Sequence, residues 1–172
     1  MSLTKIDPRA ISGNAFKLIG DDWMLITARK PDGSVNTMTA SWGGMGVFWN
    51  RPTALCVIRP GRYTFEFVEQ SDWLTLSFFD AQYREALNLL GTRSGRDGDK
   101  IAESGLVPRD FEHGAPGFEQ ARLTLVCHKM YWQVIDPSHF YHGYANCDGQ
   151  FYPLKDYHTL YFSEIEAAYE GN

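Results

Sequence analysis

The segment WMLITARKPDGSVNTMTASW, residues 23–42, decides the fold class of this chain. Apolar and β-branched residues make WMLITAR (23–29) a predicted strand, and PDGS (31–34) is typical of a turn, because proline presets its own φ and glycine accepts a positive one. NTMTASW (36–42) then returns as a second strand with threonine at alternate positions. The segment is therefore predicted to be a β-hairpin, which GGMG (43–46) is expected to break.

Predicted strands also dominate the rest of the chain. Four stretches are rich in β-branched, aromatic and other apolar residues, as strands are: TALCVI (53–58), DWLTLSFF (72–79), ARLTLVCHKMYWQVID (121–136) and HTLYFSEIEAAY (158–169). The last two are separated by an aromatic loop, SHFYHGYANCDG (138–149). Because the other connections are short, most strand pairs are expected to be antiparallel.

Short helices are predicted between some of these strands. Thr64, two residues before the acidic Glu66, is expected to cap a helix that runs to Glu69. AQYREALNLLG (81–91) has apolar residues at helical spacing, and Gly91 is expected to end that helix; DKIAES (99–104) adds one further turn. Six or seven strands with two or three short helices predict a mainly β protein, built as a small barrel without exposed sheet edges.

Composition indicates one globular domain over residues 1–172 and excludes several function classes. The chain is 44% hydrophobic and 22% charged, which is enough apolar sequence to build a core. Its net charge is -5 and its cations form no basic stripe, so nucleic acid is not an expected partner. No stretch approaches the roughly 18 consecutive apolar residues of a membrane span. Aromatic residues make up 15% of the chain, which favours either dimerisation or ligand stacking.

The three cysteines indicate a reducing environment. Cys56, Cys127 and Cys147 are an odd number without a CxxC pair, and no signal peptide is recognisable, so a cytoplasmic location is expected. Cys56 and Cys127 lie in apolar strands and are expected to be buried and unreactive. His139 and His142 have no accompanying Cys/His cluster or HExxH motif, so no metal site is predicted.

The turn RPGRYT (59–64) has the properties of a phosphate site. It leaves a strand with Arg59 and Arg62, passes Gly61 and enters the predicted helix at Thr64. Cationic side chains, a hydroxyl and free N–H groups at a helix start are what a phosphate dianion requires. The alternative is a solvated basic turn that only caps the helix.

The loop SGRDGDK (94–100) has a similar composition. Ser94 and Gly95 permit a backbone nest, while Arg96 and Lys100 supply positive charge that two neighbouring aspartates partly cancel. The spacing matches neither a nucleotide triphosphatase loop nor a dinucleotide fingerprint. The alternative is a polar loop between two helices.

NTMTASWGG (36–44) has the composition of a surface for a flat ring. Small residues at Thr39, Ala40 and Ser41 let a ring approach the backbone, and Trp42 offers an aromatic plate. The alternative is a core strand that ends in a buried tryptophan.

Together with DYHTLYFSEIE (156–166), these three segments resemble the flavin reductase-like FMN-binding split-barrel family, in particular its flavoredoxin-like branch. The resemblance covers roughly residues 15–169. It implies a Greek-key split barrel and a homodimer that holds FMN near the dimer interface. It also implies cofactor-binding residues. Those at the flavin ring and ribityl chain are Asn36, Thr39, Ala40, Ser41 and Trp42, and those at the phosphate are Arg62, Thr64 and Lys100, with Arg59, Tyr63, Ser94, Gly95 and Arg96 in the same pockets. From the aromatic C-terminal half, His139 and Phe162 would reach the flavin, either within the subunit or across the subunit interface.

The activity that the resemblance implies is that of an oxidoreductase. Electrons would pass from reduced nicotinamide, NADH or NADPH, through FMN to a free flavin, a ferric complex or a protein. No side chain is required as an acid or base, so no catalytic residue is predicted. Three alternatives stay open: an electron-transfer flavoprotein without nicotinamide activity, a non-enzymatic FMN binder or sensor, and an amine-oxidising split barrel like pyridoxamine-phosphate oxidase.

Overall fold

The computed structural model describes residues 3–171, and their largest element is one antiparallel sheet of eight strands. The strands are β1 (Leu3–Ile6), β2 (Met24–Arg29), β3 (Val35–Ala40), β4 (Gly43–Phe48), β5 (Arg51–Ile58), β6 (Trp73–Phe78), β7 (Pro108–Asp110), β8 (Pro116–Phe118), β9 (Leu123–Val134) and β10 (Thr159–Gly171). The α-helices are α1 (Tyr63–Glu69), α2 (Arg84–Thr92), α3 (Lys100–Ser104) and α4 (Asn146–Phe151). Several 3₁₀ turns and one π-helical segment, Lys17–Asp22, complete the described structure.

The sheet order explains where a site can form. Strands follow one another as β3-β2-β6-β9-β10-β5-β4, with β1 paired to the far end of β10, and β7 and β8 form a separate small ribbon. The edge strands β3 and β4 are consecutive in the chain but are not paired, so the barrel is open between them. This arrangement confirms the prediction of a mainly β split barrel with short helices. The expected absence of exposed sheet edges is wrong, because β3 and β4 each pair on one side only.

The predicted hairpin of residues 23–42 is confirmed, and the predicted break after it is wrong. Strands β2 and β3 pair from Met24 opposite Ala40 to Arg29 opposite Val35. The glycines that follow do not end the sheet, because β4 begins at Gly43 and pairs with β5. A Cβ on Gly43 would lie 2.3 Å from the Leu55 carbonyl oxygen, so the missing side chain is what allows this close pairing.

Other boundaries also differ from the predictions. Helix α1 has Arg62 as its N-cap residue, and the Thr64 hydroxyl accepts a hydrogen bond from Asn36 instead of capping the helix. Helix α2 continues through Gly91 to Thr92. The missing side chain of Gly91 leaves room for Thr39, because a Cβ there would lie 3.2 Å from the Thr39 Cβ. The predicted six or seven strands become ten in residues 3–171, and the aromatic loop contains helix α4.

The core occupies the concave side of the sheet. Its largest fully buried side chains include Tyr161, Phe78 and Met24, contributed by three different strands. A second cluster packs Leu87 and Leu90 of α2 against the outer face of β2. No helix within residues 3–171 has the length and apolar character needed to cross a membrane.

The prediction that Cys56 and Cys127 are buried is confirmed. Burial raises the pKa of the Cys56 thiol to about 12, so this thiol stays protonated and unreactive. Cys147 is partly exposed.

Candidate functional site

The three segments singled out in the sequence meet at the open edge of the barrel, along β3. There they line two adjoining clefts. The first, here called the anion cleft, is lined by Asn36, Met38, Gly61, Arg62, Tyr63, Thr64, Thr92, Arg93, Ser94, Gly95 and Lys100. The second, here called the ring cleft, is lined by Met38, Thr39, Ala40, Ser41, Trp42, Val57, Arg59, Arg62 and His158.

Lys100 is the most unusual residue of the anion cleft. It begins helix α3, and only 4% of its surface is exposed. Its ammonium donates hydrogen bonds to the carbonyl oxygens of Leu90 at 2.9 Å and Arg93 at 3.1 Å. No carboxylate among residues 3–171 forms an ion pair with it. Burial, and to a smaller extent the charge of Arg62, lower its pKa to about 8. A buried ammonium without a counter-ion is costly, and an anionic ligand would supply that counter-ion.

Arg62 faces both clefts and adds a second positive charge. Its Nη2 donates to the Gly91 carbonyl oxygen at 2.7 Å, and its pKa is lowered by burial and by the neighbouring Arg59. Like Lys100, Arg62 is bonded in the described structure to a neutral backbone oxygen and forms no ion pair there. Two cations without carboxylate partners in the described residues, at one cleft, match a group with two negative charges, such as a phosphate.

A tight contact between the two predicted phosphate loops shapes the anion cleft. The buried Asn36 on β3 donates from Nδ2 to the Thr64 hydroxyl at 3.0 Å, which ties β3 to α1. Gly95 passes so close that a Cβ there would lie 2.4 Å from Asn36 Oδ1 and 3.1 Å from Tyr63 Cδ1. The structure thus places Asn36 in the anion cleft, where it holds the cleft together, and not beside the ring cleft.

Replacing Gly95 with alanine is expected to weaken phosphate-ligand binding at least tenfold. The new methyl group must displace the Asn36 amide, and with it the hydrogen bond to Thr64 that positions α1. A titration with the phosphorylated ligand would measure the loss. Gly20→Ala is the matched control, because Gly20 is exposed, lines neither cleft, and its added methyl would meet nothing within 4 Å beyond its own helix. Equal affinities for both variants would contradict the assigned role of Gly95.

Two of the predicted cations are engaged elsewhere. Arg96 donates from Nη2 to Glu66, and its guanidinium carbon lies 4.5 Å from the centre of the Tyr63 ring, outside the anion cleft. Arg59 is bonded to Asp156 at 2.9 and 3.0 Å, so its charge is compensated. Five of the predicted phosphate-pocket residues are the polar side chains of the RPGRYT turn and Lys100. The structure brings four of them to the anion cleft: Arg62, Tyr63, Thr64 and Lys100. The fifth, Arg59, lines the ring cleft.

The ring cleft follows the end of β3. Thr39 donates its hydroxyl to the Leu87 carbonyl oxygen at 2.5 Å, which fixes α2 beside the strand. Ala40, Ser41 and Trp42 form one wall. Trp42 is 44% exposed, so it is not the buried core tryptophan of the alternative interpretation. Its ring meets Phe151 edge-on at 5.5 Å between centroids.

His158 is a residue of the ring cleft that was not predicted, although it lies within the quoted stretch DYHTLYFSEIE. It is buried, and its Nδ1 shares a hydrogen bond of 2.9 Å with the Tyr152 hydroxyl. Burial, then the nearby positive charge of Arg59, lowers its pKa to about 4. His158 is therefore neutral at physiological pH. The signal available in the sequence was a lone histidine preceding an apolar strand, which by itself indicates no role.

The structure does not bring His139 or Phe162 to either cleft. The His139 side chain is 81% exposed and lies 3.9 Å from the Asp136 carboxylate. Phe162 packs against Phe48 and Tyr131, with ring centroids 5.3 and 5.9 Å away. A contribution of these two residues across a subunit interface stays a prediction.

Comparison with known proteins identifies the architecture. A family model described as "Flavin reductase like domain" matches residues 18–172. No match was found among curated proteins. Among solved structures, the chain is similar to an FMN-binding domain of a flavin reductases-like enzyme from Shewanella baltica, with a TM-score of 0.71 and 19% identity over 98% of this chain and 77% of that one.

Two further solved structures share the fold. Flavoredoxin of Desulfovibrio vulgaris has a TM-score of 0.67 and 20% identity, over 87% of this chain and 69% of that chain. The styrene monooxygenase flavin reductase from Pseudomonas putida has a TM-score of 0.59 and 16% identity, over 86% and 77%. At these identities the comparison establishes the fold only.

Proposed function

This chain belongs to the flavin reductase-like family, and on that premise we propose that its two adjoining clefts bind FMN and that it acts as an oxidoreductase. The observation that carries the proposal is Lys100, a buried cation with no carboxylate partner among the described residues, at the end of a cavity whose other half is wide and partly aromatic. A phosphorylated flat ring has both complementary parts.

The residues present fit each part of FMN. Lys100 and Arg62 would hold the phosphate, with the Ser94 and Gly95 loop and the Thr64 and Tyr63 helix start around it. Thr39, Ala40, Ser41 and Trp42 would lie along the isoalloxazine ring, where small side chains permit backbone contacts and Trp42 supplies an apolar plate. Because Met38 and Arg62 line both clefts, one ligand would extend from one cleft into the other.

When bound, FMN would supply the redox chemistry, taking electrons from reduced nicotinamide and passing them to a free flavin, a ferric complex or a protein. The role of the chain is to bind and orient the ring and to limit its contact with water. His158 borders the ring cleft as a neutral imidazole whose Nδ1 is bonded to Tyr152, so it adds no charge beside the ring above about pH 5. The other described residues that line the ring cleft include no carboxylate, thiol, phenol or lysine, so none of them is a candidate for proton transfer.

A nicotinamide oxidation assay tests the enzymatic part of this proposal. We expect the FMN-loaded protein to oxidise NADH or NADPH when free FMN or a ferric complex is the acceptor. Cofactor content is measured first, by the flavin absorbance of the purified or reconstituted protein and by release of FMN on denaturation. Protein that takes up FMN but oxidises neither nucleotide with any acceptor is an electron carrier or binder, and protein that takes up no FMN would overturn the proposal.

We also propose that the chain forms a homodimer in a reducing compartment such as the cytoplasm. Phe48 and Trp49, at the turn from β4 to β5, and Tyr131 and Trp132 of β9 are exposed, and the rings of the first three lie next to one another. Exposed aromatic surface of this kind is typical of interfaces. Sedimentation velocity tests the proposal, and a monomer at micromolar concentration would contradict it.

A further inference from the structure

Residues 136–157, here called the lid segment, form a long excursion between β9 and β10. Its two ends are held together, because Val134 pairs with Thr159 and the Ile135 N–H donates to the His158 carbonyl oxygen at 3.0 Å. The segment is folded on itself by local bonds, among them Lys155 to Asp148 at 2.5 Å. These bonds lie within the segment and keep it compact.

The lid segment is attached to the barrel mainly through one residue, Arg59. Its Nη1 donates to both carboxylate oxygens of Asp156, and its Nη2 donates to the Phe151 carbonyl oxygen at 2.8 Å. Its guanidinium also lies 5.2 Å from the centre of the Tyr152 ring. Arg59 at the same time lines the ring cleft, so the attachment point lies beside the proposed flavin.

The apolar attachment of the lid segment is small by comparison. Tyr152 is its one buried hydrophobic side chain, while Tyr141 and Leu154 are each 84% exposed. Segments held by a few polar contacts with little buried apolar area open at a low free energy compared with the core.

We propose that the lid segment opens and closes over the ring cleft and that the Arg59–Asp156 ion pair is its latch. In the closed arrangement Phe151 lies against Trp42, and Tyr152 bonds to His158, so closure completes one wall of the cleft. Opening breaks these contacts together and admits a flat ligand to the ring cleft. Arg59 is thus a positioning residue and not a phosphate ligand. The inference rests on the proposed function only in naming the flavin as the ligand under the lid.

Limited proteolysis of the FMN-free protein tests the latch without any cofactor. Chymotrypsin is expected to cut the wild type slowly after Phe151, whose carbonyl oxygen is bonded to Arg59 and whose ring packs against Trp42. Asp156→Asn should be cut there about five to ten times faster, because the variant loses a charge-assisted, two-oxygen contact. Glu164→Gln removes an ion pair with Arg51 far from the lid and serves as the matched control, with the wild-type rate. Equal cleavage of Asp156→Asn and the wild type would overturn the proposal.

Stopped-flow measurements with FMN distinguish whether Arg59 acts as a latch or binds the phosphate of FMN. A latch predicts that Asp156→Asn and Arg59→Lys each raise the association and dissociation rate constants by a similar factor, so that Kd changes less than about threefold. If Arg59 instead bound the phosphate, Arg59→Lys would weaken Kd more than tenfold through dissociation alone and would not accelerate proteolysis, which would overturn the proposal. Should no FMN bind to the wild type, the proposed function fails, while the cleavage rates still decide whether the latch exists.

Discussion

Replacing Lys100 with methionine is expected to weaken FMN binding about ten- to hundredfold while leaving the FMN-free protein as stable as the wild type or more stable. Loss of a charge-assisted hydrogen bond to phosphate corresponds to about 1.5–3 kcal/mol. In the free protein, however, the Lys100 ammonium is buried among backbone oxygens without a carboxylate partner in the described residues. Removing an uncompensated buried charge relieves its desolvation.

The opposite signs of the two effects make this variant diagnostic. Fluorescence titration with FMN measures Kd, and urea unfolding of the FMN-free protein measures the free energy of unfolding. Lys5→Met is the control, since Lys5 is exposed and paired with Glu112 on the far side of the barrel; its Kd should stay within about twofold of the wild type. Arg62→Ala should weaken binding by a similar 1.5–3 kcal/mol. Unchanged affinity in both Lys100→Met and Arg62→Ala would rule out a shared phosphate pocket.

Local sequence rules predict those parts of the fold that depend on neighbouring residues. The hairpin of β2 and β3 follows from alternation and from the turn chemistry of PDGS, all within twenty residues. The long strands β9 and β10 follow from their β-branched and aromatic content. Strand β4 could not be predicted in this way, because its glycines are favourable only opposite β5, where Gly43 meets the Leu55 carbonyl.

For the candidate site, too, the sequence predicts what depends on local residue types but not what depends on distant partners. Residue type indicates that RPGRYT and SGRDGDK each can bind an anion, and the structure places both at one cleft. Which cations remain available depends on distant partners: Arg59 is engaged by Asp156, 97 residues away, and Arg96 by Glu66, 30 residues away. No local pattern contains such pairings. For the same reason the sequence does not predict that His158 lines the ring cleft, because its position depends on where β10 lies in the sheet.

The charge of the clefts is set by these pairings and not by the overall composition. The chain carries a net charge of -5, yet the anion cleft keeps two cations, Lys100 and Arg62, bonded to neutral oxygens. Because Glu66 and Asp156 neutralise Arg96 and Arg59, the positive potential is concentrated at one end of the proposed FMN site. A dianionic phosphate is thereby directed to the anion cleft and the uncharged part of the ring to the other.

The affinity for FMN is expected to fall about fifteenfold between pH 8 and pH 9.5. In the free protein the pKa of Lys100 is about 8, below its usual 10.5, because of burial and the charge of Arg62. A bound phosphate dianion favours the charged ammonium and raises this pKa. As the pH rises above 8, a growing fraction of the free protein has lost a proton that binding must restore, and the fall in affinity approaches about tenfold per pH unit. The phosphate itself does not contribute, since its second pKa is about 6.

Titrations at several pH values, with calorimetry in two buffers of different ionisation enthalpy, measure this linkage directly. Near pH 9 the wild type should take up close to one proton for each FMN bound, whereas Lys100→Met should bind weakly with no uptake and a flat profile. His158 does not interfere, because with a pKa of about 4 it stays neutral throughout this range. A wild-type affinity that stays constant from pH 8 to 9.5 would mean that Lys100 is not the titrating phosphate ligand. A slope that persists in Lys100→Met would assign the proton to a different group.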